Sequence, residues 1–459
     1  MIGIGGIGMS AIARYFSSLS IEVSGYDKTE TELTKALSVA GISVQYDDRE
    51  ALAPLDVDLV VYTPAIPSSH PQLNFYRNSL IPLMKRSEVL GIISHNSFNI
   101  CVAGTHGKTT ISTMIAHLLK GTDYAANAFL GGISVNYNTN FLSDEHNVCV
   151  IEADEYDRSF LRLSPDIAVI SSMDADHLDI YGTEEALQTA FIDFSNRVKE
   201  NGLLFTRFGL KRTADFQAKN HFVYSLQNDA ADVYASNIKM KDGAYEFDVI
   251  TKDKLIEQLT LNMGGMHNVE NAVAAIAVAS ALKIDNKKIR AAVSSFRGVK
   301  RRFEYILRNS LLTFIDDYAH HPEELRALIS GAKSLFKGRR CTVIFQPHLF
   351  SRTRDLATQF AESLDLADEV ILLPIYPARE LPIEGVTSKL ILDQMQREDK
   401  TIVSKDSVLS TIKNRLDKMN PEFPEVFITA GAGDIDTLVQ PIKELMEKTN
   451  FFHKKNGKE

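Results

Sequence analysis

The stretch "AGTHGKTT", Ala103 to Thr110, decides how the chain is read. A phosphate loop in its common form runs G-x-x-x-x-G-K-[ST], with its first glycine five residues before the second. That glycine would fall at position 102, where this chain has Val102; Gly104 sits inside the window instead, while Gly107, Lys108 and Thr109 fit. The flanks carry the argument. Upstream, "NICV" is rich in β-branched and apolar residues and predicts a buried strand. Downstream, Ile111, Met114, Ile115, Leu118 and Leu119 recur at helical spacing. Strand, tight glycine turn and helix is the geometry in which backbone N–H groups and a helix N-terminus face an anion. Lys108 then lies against the β/γ-phosphates of a nucleotide, and Thr109 offers its hydroxyl to Mg²⁺. A bare glycine turn capped by Thr109 would leave Lys108 solvated.

The rest of the chain is organised the same way. Its 459 residues correspond to roughly three domains at about 150 residues each. Short strands and helices alternate over the first hundred residues, from "MIGIGGIGMSAIARYF" through "IEVSGYD" to "VDLVVYTPAI". A boundary is expected at the polar "SHNSFN", dividing 1–95 from 96–298. The central block holds the strands "NICVA", "VCVIEA" and "IAVISSM". The runs "HFVYSL", "YEFDVIT" and "EQLTLNM" read as antiparallel strands, and the helix "NVENAVAAIAVASALK" closes the block. A third unit, 299–459, carries "LLTFID", "CTVIFQP", "EVILLPI" and "EVFITAG" between helical segments. The tail "FFHKKNGKE" is polar and expected to fray. The fold class is therefore α/β in three domains, Rossmann-like, then P-loop ATPase-like, then Rossmann-like, with mostly parallel sheets. Ligands in such sheets sit beyond the carboxyl ends of the strands.

Bulk properties exclude several classes. A net charge of −9 gives no electrostatic reason to expect nucleic acid as a partner. No run of 18 apolar residues and no basic-then-apolar leader opens or interrupts the chain, so neither membrane insertion nor a signal peptide is expected. Cys101, Cys149 and Cys341 lie in apolar strand-like runs and read as buried thiols of a reducing, cytoplasmic setting.

Polar motifs follow the strands. "GIGGIG", Gly3 to Gly8, with Asp27 near the end of the next strand, matches the dinucleotide fingerprint. The pattern specifies a glycine turn facing a diphosphate and leaves the nucleotide open; a UDP-sugar satisfies it as well as NAD. Only Met1 and Ile2 precede the turn, where about five strand residues are usual, so an upstream start is expected. "VCVIEADEYDRSF" puts Glu152 at a strand end, placed to hold Mg²⁺ directly or through water, with Asp154, Glu155 and Asp157 after it. In "SSMDADHLDIYG", His177 lies among carboxylates, as a metal ligand or a surface ion pair. His267, Asn268 and Asn271 open an Ala-rich helix; the two Asn amides share a face and either meet a purine edge or cap the helix. Arg301 and Arg302 stand at the second boundary, where a guanidinium can stabilise a phosphoryl group in transfer. Asp316, Asp317, Tyr318, His320, His321, His348, Arg352 and Arg354 crowd strand ends of the third unit, which is costly unless they face a wet cleft.

Taken in order, "AGTHGKTT", "EADEYDRSFL", "DADHLDIYG", "GGMHNVENA", "RRFEY", "DDYAHHPEEL", "FQPHLFSRTRDL" and "GAGDI" resemble the Mur ligase family across nearly the whole chain. The resemblance implies ATP- and Mg²⁺-dependent ligation of L-alanine to the carboxylate of UDP-N-acetylmuramate through an acyl phosphate, in peptidoglycan precursor synthesis, by a monomer or homodimer. It implies a UDP-sugar domain, an ATP domain and a closing C-terminal domain. Gly104, Thr105, His106, Gly107, Lys108, Thr109 and Thr110 would cradle ATP. His267, Asn268 and Asn271 would surround the adenine, Arg302 reach the phosphates and Asp317 the ribose. Thr109 would take one Mg²⁺, Glu152 and His177 a second. Gly5, Gly6, Gly8, Met9 and Ser10 would face the uridine diphosphate. Tyr318, His321, His348, Arg352 and Arg354 would shape the alanine and acyl-phosphate site, with Lys108, His177, Arg302, His321 and Arg352 as the catalytic set. Leu349 departs from the family's Arg after the histidine, which leaves the choice among alanine, glycine and serine open. Lys199, the first lysine after His177, is not expected to be the carbamylated lysine of some related ligases. Ligation of a recycled tripeptide, and nicotinamide-dependent oxidoreduction, are the alternative activities.

Overall fold

The computed structural model describes residues 1–378, 380–420 and 422–448, so the tail 451–459 lies outside the described residues. The chain divides into two compact units. The first comprises Met1–Ile238, Phe247–Leu261 and His267–Val299; the second comprises Lys239–Glu246, Asn262–Met266 and Lys300 onward.

In the first unit the amino-terminal strands form a small parallel sheet. Ser43–Gln45 pairs with Ser24–Tyr26, and Val60–Tyr62 pairs with Leu83–Lys85. Ile2 joins the two pairs by bridges to Tyr26 and Tyr62. The strand stub is therefore a single bridging residue, followed at once by the glycine turn and the helix Ile7–Ser18. That helix buries Met9, Ala11 and Ile12 in one core with Cys101, Phe129, Ile151 and Phe160. Its Tyr15 ring lies 5.3 Å from Phe129, which lies 5.3 Å from Phe141. Asn140, fully buried, donates to Ile7 O at 2.6 Å and Ser10 Oγ at 2.9 Å, tying the helix start to the neighbouring hairpin.

The large sheet of ten strands has Phe98–Ala103 in its parallel centre, between Val148–Glu152 and Ile167–Ile170. These three strands are apolar on both faces, as parallel strands covered by helices on each side must be. The hairpin Asn127–Ser134 and Thr139–Leu142, not anticipated from the sequence, forms one edge. One expectation is corrected. "HFVYSL" lies in Asn220–Ser225, which pairs parallel with both neighbours, Leu203–Arg207 and Val233–Lys241. Crossovers on either side carry the chain back before each pairing. The next two connections, Asp242–Gly243 and 252–254, are short enough to demand antiparallel returns, and Asp242 and Gly243 both have positive φ. The helix Met266–Ala281 buries alanine, valine and isoleucine around most of its circumference, which marks a helix enclosed by the core rather than laid on its surface.

The second unit is a six-stranded sheet in which Leu312–Asp317, Glu425–Ala430, Arg340–Phe345, Glu369–Leu372 and Lys400–Ile402 run parallel. Glu304–Arg308 adds an antiparallel edge. Among the described residues no helix is long and apolar enough to cross a membrane.

Candidate active site

The phosphate loop is built by close backbone approach. Gly104 has φ +136, and a Cβ there would collide with Ser171 Oγ and lie 2.8 Å from Ser172 N. Only glycine tolerates both conditions. Ser172, beyond the adjacent strand, holds the loop through its hydroxyl: His106 N donates to Ser172 Oγ at 2.7 Å, and Thr105 Oγ1 lies 2.9 Å from it. Gly107, at φ +85, opens the helix Lys108–Leu119. Val102 is not a defect in this design. It is a buried strand residue, and the turn begins two residues later than in the common form.

Lys108 Nζ donates to Gly104 O at 2.6 Å and pairs with Glu155 at 2.8 Å. Glu155 is fully buried, and burial raises its pKa against the opposing pull of Lys108. Thr109 Oγ1 donates to Glu152 Oε1 at 2.9 Å, while Glu152 Oε2 accepts from Gly131 N at 2.8 Å. The metal grouping therefore differs from the sequence expectation. Glu152 belongs with Thr109; His177 belongs with Glu155 and Asp176, whose donor atoms all lie within 4.8 Å of one another. No other group of three such donors occurs among the described residues. Lys199 pairs with Asp166 at 2.7 Å.

The residues expected around the adenine lie at the start of the helix Met266–Ala281. Asn271 Nδ2 donates to Asn268 Oδ1 at 3.2 Å. Asn271 Oδ1 lies where a Cβ on Gly107 would be 2.7 Å away, so this amide packs on the loop itself. His267 is exposed at the helix start, and Thr110 is buried behind the loop.

A cleft of 370 Å³ runs from the amino-terminal glycine turn to the central carboxylates. Gly6, Gly8 and Met9 line one end, Gly131, Glu152 and Asp154 the other. Arg86 lies between them, against Gly8 and 3.7 Å from Asp154. Two residues expected in this cleft are placed elsewhere. Ser10 is fully buried, donating to Ile7 O and accepting from Asn140. Gly5 turns its N–H to Asp27 Oδ2 at 2.8 Å. The carboxylate that a nicotinamide dinucleotide site aims at a ribose is thus closed onto its own turn.

In the second unit, Asp317 accepts from Phe303 N and Ala319 N, each at 2.7 Å, yet burial still pushes its pKa up to about 6. Arg302 lies close enough to lower it. Asp316, 1% exposed, is pushed to about 7 by burial despite Arg301 at 3.3 Å and Thr429 at 2.6 Å. Arg301 also donates to Gly431 O and lies 5.0 Å over the Tyr318 ring. His348 stacks on Tyr376 at 5.8 Å and meets His320 edge-on at 6.0 Å. Burial, then Arg352 and His320, lowers the His348 pKa. Both His348 Nδ1 and Arg352 Nη1 are buried without a protein hydrogen-bond partner. Leu349 takes φ +72, an unusual conformation for a leucine, as it starts the helix Phe350–Asp355.

Two residues expected at the alanine and acyl-phosphate site lie on the exposed surface. His321 is the N-cap of Pro322–Leu335 and is exposed; the histidine facing His348 is His320. Arg354 is exposed and pairs with Asp355 at 2.7 Å.

Glycine turn, modified phosphate loop, carboxylate–histidine group and strand-end aspartates together define a class: nucleotide-dependent acid–amine ligases built from parallel α/β sheets. The chain belongs to the Mur ligase family. Residues 1–97 match the profile described as "Mur ligase family, catalytic domain", 102–279 "Mur ligase middle domain" and 301–433 "Mur ligase, glutamate ligase domain". It is 46% identical over 469 residues to a UDP-N-acetylmuramate–L-alanine ligase of Cytophaga hutchinsonii, covering 100% of this chain and 98% of that one. It is similar to the crystal structure of UDP-N-acetylmuramate–alanine ligase from Thermotoga maritima, with 29% identity and a TM-score of 0.80 over 98% of this chain and 99% of that chain. A murein peptide ligase from Psychrobacter arcticus shares the fold, with 24% identity and a TM-score of 0.62 over 97% and 98%.

Proposed function

We propose that this chain ligates L-alanine to the lactyl carboxylate of UDP-N-acetylmuramate, with ATP as phosphoryl donor, in peptidoglycan precursor synthesis. The observation that carries the reading is the cleft joining the glycine turn to Glu152 and Asp154, with Glu152 accepting from Thr109 of the phosphate loop. A sugar nucleotide laid along it, diphosphate at Gly6 and Gly8, directs its far end toward the phosphate loop. The relative at 46% identity supports the same substrates.

A carboxylate is a poor acyl donor. Its oxygen attacks the γ-phosphorus of ATP, the bond to the ADP oxygen breaks, and an acyl phosphate forms. The neutral amine of alanine then attacks the carbonyl carbon, and the tetrahedral intermediate expels inorganic phosphate. Two anions meet in the first step. Lys108 supplies positive charge at the phosphates, and the resemblance gives Arg302 the same task. Glu155, Asp176 and His177 offer hard oxygens and an imidazole that fit a divalent cation; Mg²⁺ there would neutralise phosphate charge. Glu152 orients Thr109. In the second unit Asp317 is the proposed ribose contact, and Tyr318, His348 and Arg352 the proposed alanine contacts. We assign the three domains to 1–95, 96–298 and 299–459, and the reaction to the cytoplasm.

Phosphate release is the test. Purified protein receives ATP, Mg²⁺ and UDP-N-acetylmuramate with L-alanine, glycine, L-serine or the tripeptide. L-Alanine should give the highest kcat/KM, with discrimination of about 1–3 kcal/mol per methyl group. Turnover with the tripeptide but not alanine would transfer the assignment to the recycling activity, and no UDP-sugar-dependent ADP would sink the ligase reading.

A further inference from the structure

The turn after Glu155 is held in a conformation its residues resist. Asp157 has φ 54 and ψ 21, and Arg158 has φ 54 and ψ 24. Two consecutive non-glycine residues in the left-handed region are costly and persist only where surroundings over-determine them. The surroundings are specific. Tyr181, 6% exposed, donates its hydroxyl to Glu155 O at 2.6 Å. The Arg158 guanidinium lies 5.1 Å over the Tyr181 ring, and Arg158 N donates to the same carbonyl at 3.0 Å. Tyr156 in turn meets the His177 ring edge-on at 5.4 Å.

Tyr181 ends the short helix Leu178–Tyr181, which begins directly after His177, itself at φ 49. One segment thus supplies His177 and Tyr181, the other Glu155 and Arg158, and the two interlock. Glu155 is the residue that meets Lys108 and completes the donor group with His177 and Asp176. Relaxation of the turn would move the buried carboxylate that both groups share.

We propose that Tyr181 is a positioning residue whose hydroxyl pins the left-handed turn at Asp157 and Arg158, holding Glu155 against Lys108 and beside His177, and so sets the Mg²⁺-dependent affinity for nucleotide. The proposal rests on the ATP-site reading above but not on the identity of the ligated substrates. It is therefore tested by binding. MgADP and MgATP dissociation constants are measured by calorimetry on the full chain across a Mg²⁺ titration, for the parent, Tyr181→Phe and the double variant Tyr181→Phe/Arg158→Gly, with melting curves for each.

Tyr181→Phe keeps the ring and removes one buried hydrogen bond; it should weaken MgADP about three- to tenfold and raise the Mg²⁺ requirement. Glycine adopts φ 54 without cost, so the double variant should return to within about twofold of the parent. Unchanged Mg²⁺ dependence in Tyr181→Phe overturns the proposal. So does a loss that glycine at 158 fails to recover, or one that follows the melting temperature alone. A parent that binds MgADP but shows no UDP-sugar-dependent turnover would refute the ligase reading and leave this test standing. A parent that binds no nucleotide overturns both.

Discussion

Asp316→Asn isolates the cost of a buried carboxyl at a strand end. Asp316 is 1% exposed, and its pKa is pushed from 3.8 to about 7 by burial; Arg301 and Thr429 offset only part of this. The folded chain therefore holds a proton near neutrality that the unfolded chain has released. Stability from this group is fully present below its unfolded pKa and is lost as pH rises through the folded value. With a folded pKa of about 7, the bound proton falls from about 0.9 at pH 6 to about 0.1 at pH 8, and integration gives a loss of about 1.4 kcal/mol over that interval. Asparagine does not titrate, so the variant should lack this increment. It also turns an amide toward Arg301 in place of the Oδ2 at 3.3 Å, an offset that lowers stability at every pH. The slope, not the absolute stability, is the readout.

The assay is native-state hydrogen exchange at the amides of Leu312–Asp317, which reports the opening free energy of this strand at each pH after correction for intrinsic rates. The parent should lose about 1.4 kcal/mol more than Asp316→Asn between pH 6 and 8. Asp317, at about 6 and raising its neighbour, contributes in the same direction in both proteins. Equal losses would show that Asp316 does not titrate between pH 6 and 8, which refutes the reasoning.

Gly104→Ala should abolish tight nucleotide binding, weakening MgADP by at least about tenfold, because the new Cβ meets Ser171 and φ +136 costs a side-chain residue about 1–3 kcal/mol; calorimetric affinity close to the parent's would refute the close-approach argument. Arg352→Ala should raise KM for alanine about tenfold or more through loss of a charge-assisted contact, while Arg354→Ala, whose guanidinium is already engaged by Asp355, should stay within about twofold in steady-state assays. Similar losses for the two arginines would contradict this division of roles between them.

The fold was legible wherever a strand was apolar throughout and ended in a polar motif. "NICVA" and "VCVIEA" announce buried parallel strands, and the alternation of strand with helix leaves few other arrangements. Pairing direction was less legible for "HFVYSL". Hydrophobic pattern specifies which residues are buried, whereas direction depends on whether the connection is a two-residue turn or a crossover. The hairpin 127–142 escaped notice because "GGISVNYNTN" mixes glycine with polar residues. Yet Gly131 within it donates the N–H that fixes Glu152.

Within the site, composition identified the motifs and geometry assigned the members. "EADEYD" holds four carboxylates within six residues, and nothing in their order says which one turns inward. Glu155 does so because the chain reverses through Asp157 and Arg158 in the left-handed region, a conformation no residue type there advertises. "HHPEEL" was different, since the information was present. Proline at the first helical position with glutamate two residues later marks the residue before the proline as the N-cap. His321 is that cap, and Glu324 accepts from its backbone N–H at 3.0 Å. The helix start engages the backbone of His321, and it is the ring of His320, one residue earlier in the loop, that faces His348. The same logic applies to Ser10, which a glycine-rich turn invites one to place on a diphosphate. Its hydroxyl is committed to Ile7 O and Asn140, so the cleft wall is formed by Gly6, Gly8 and Met9, where small size and backbone exposure matter more than a side-chain donor.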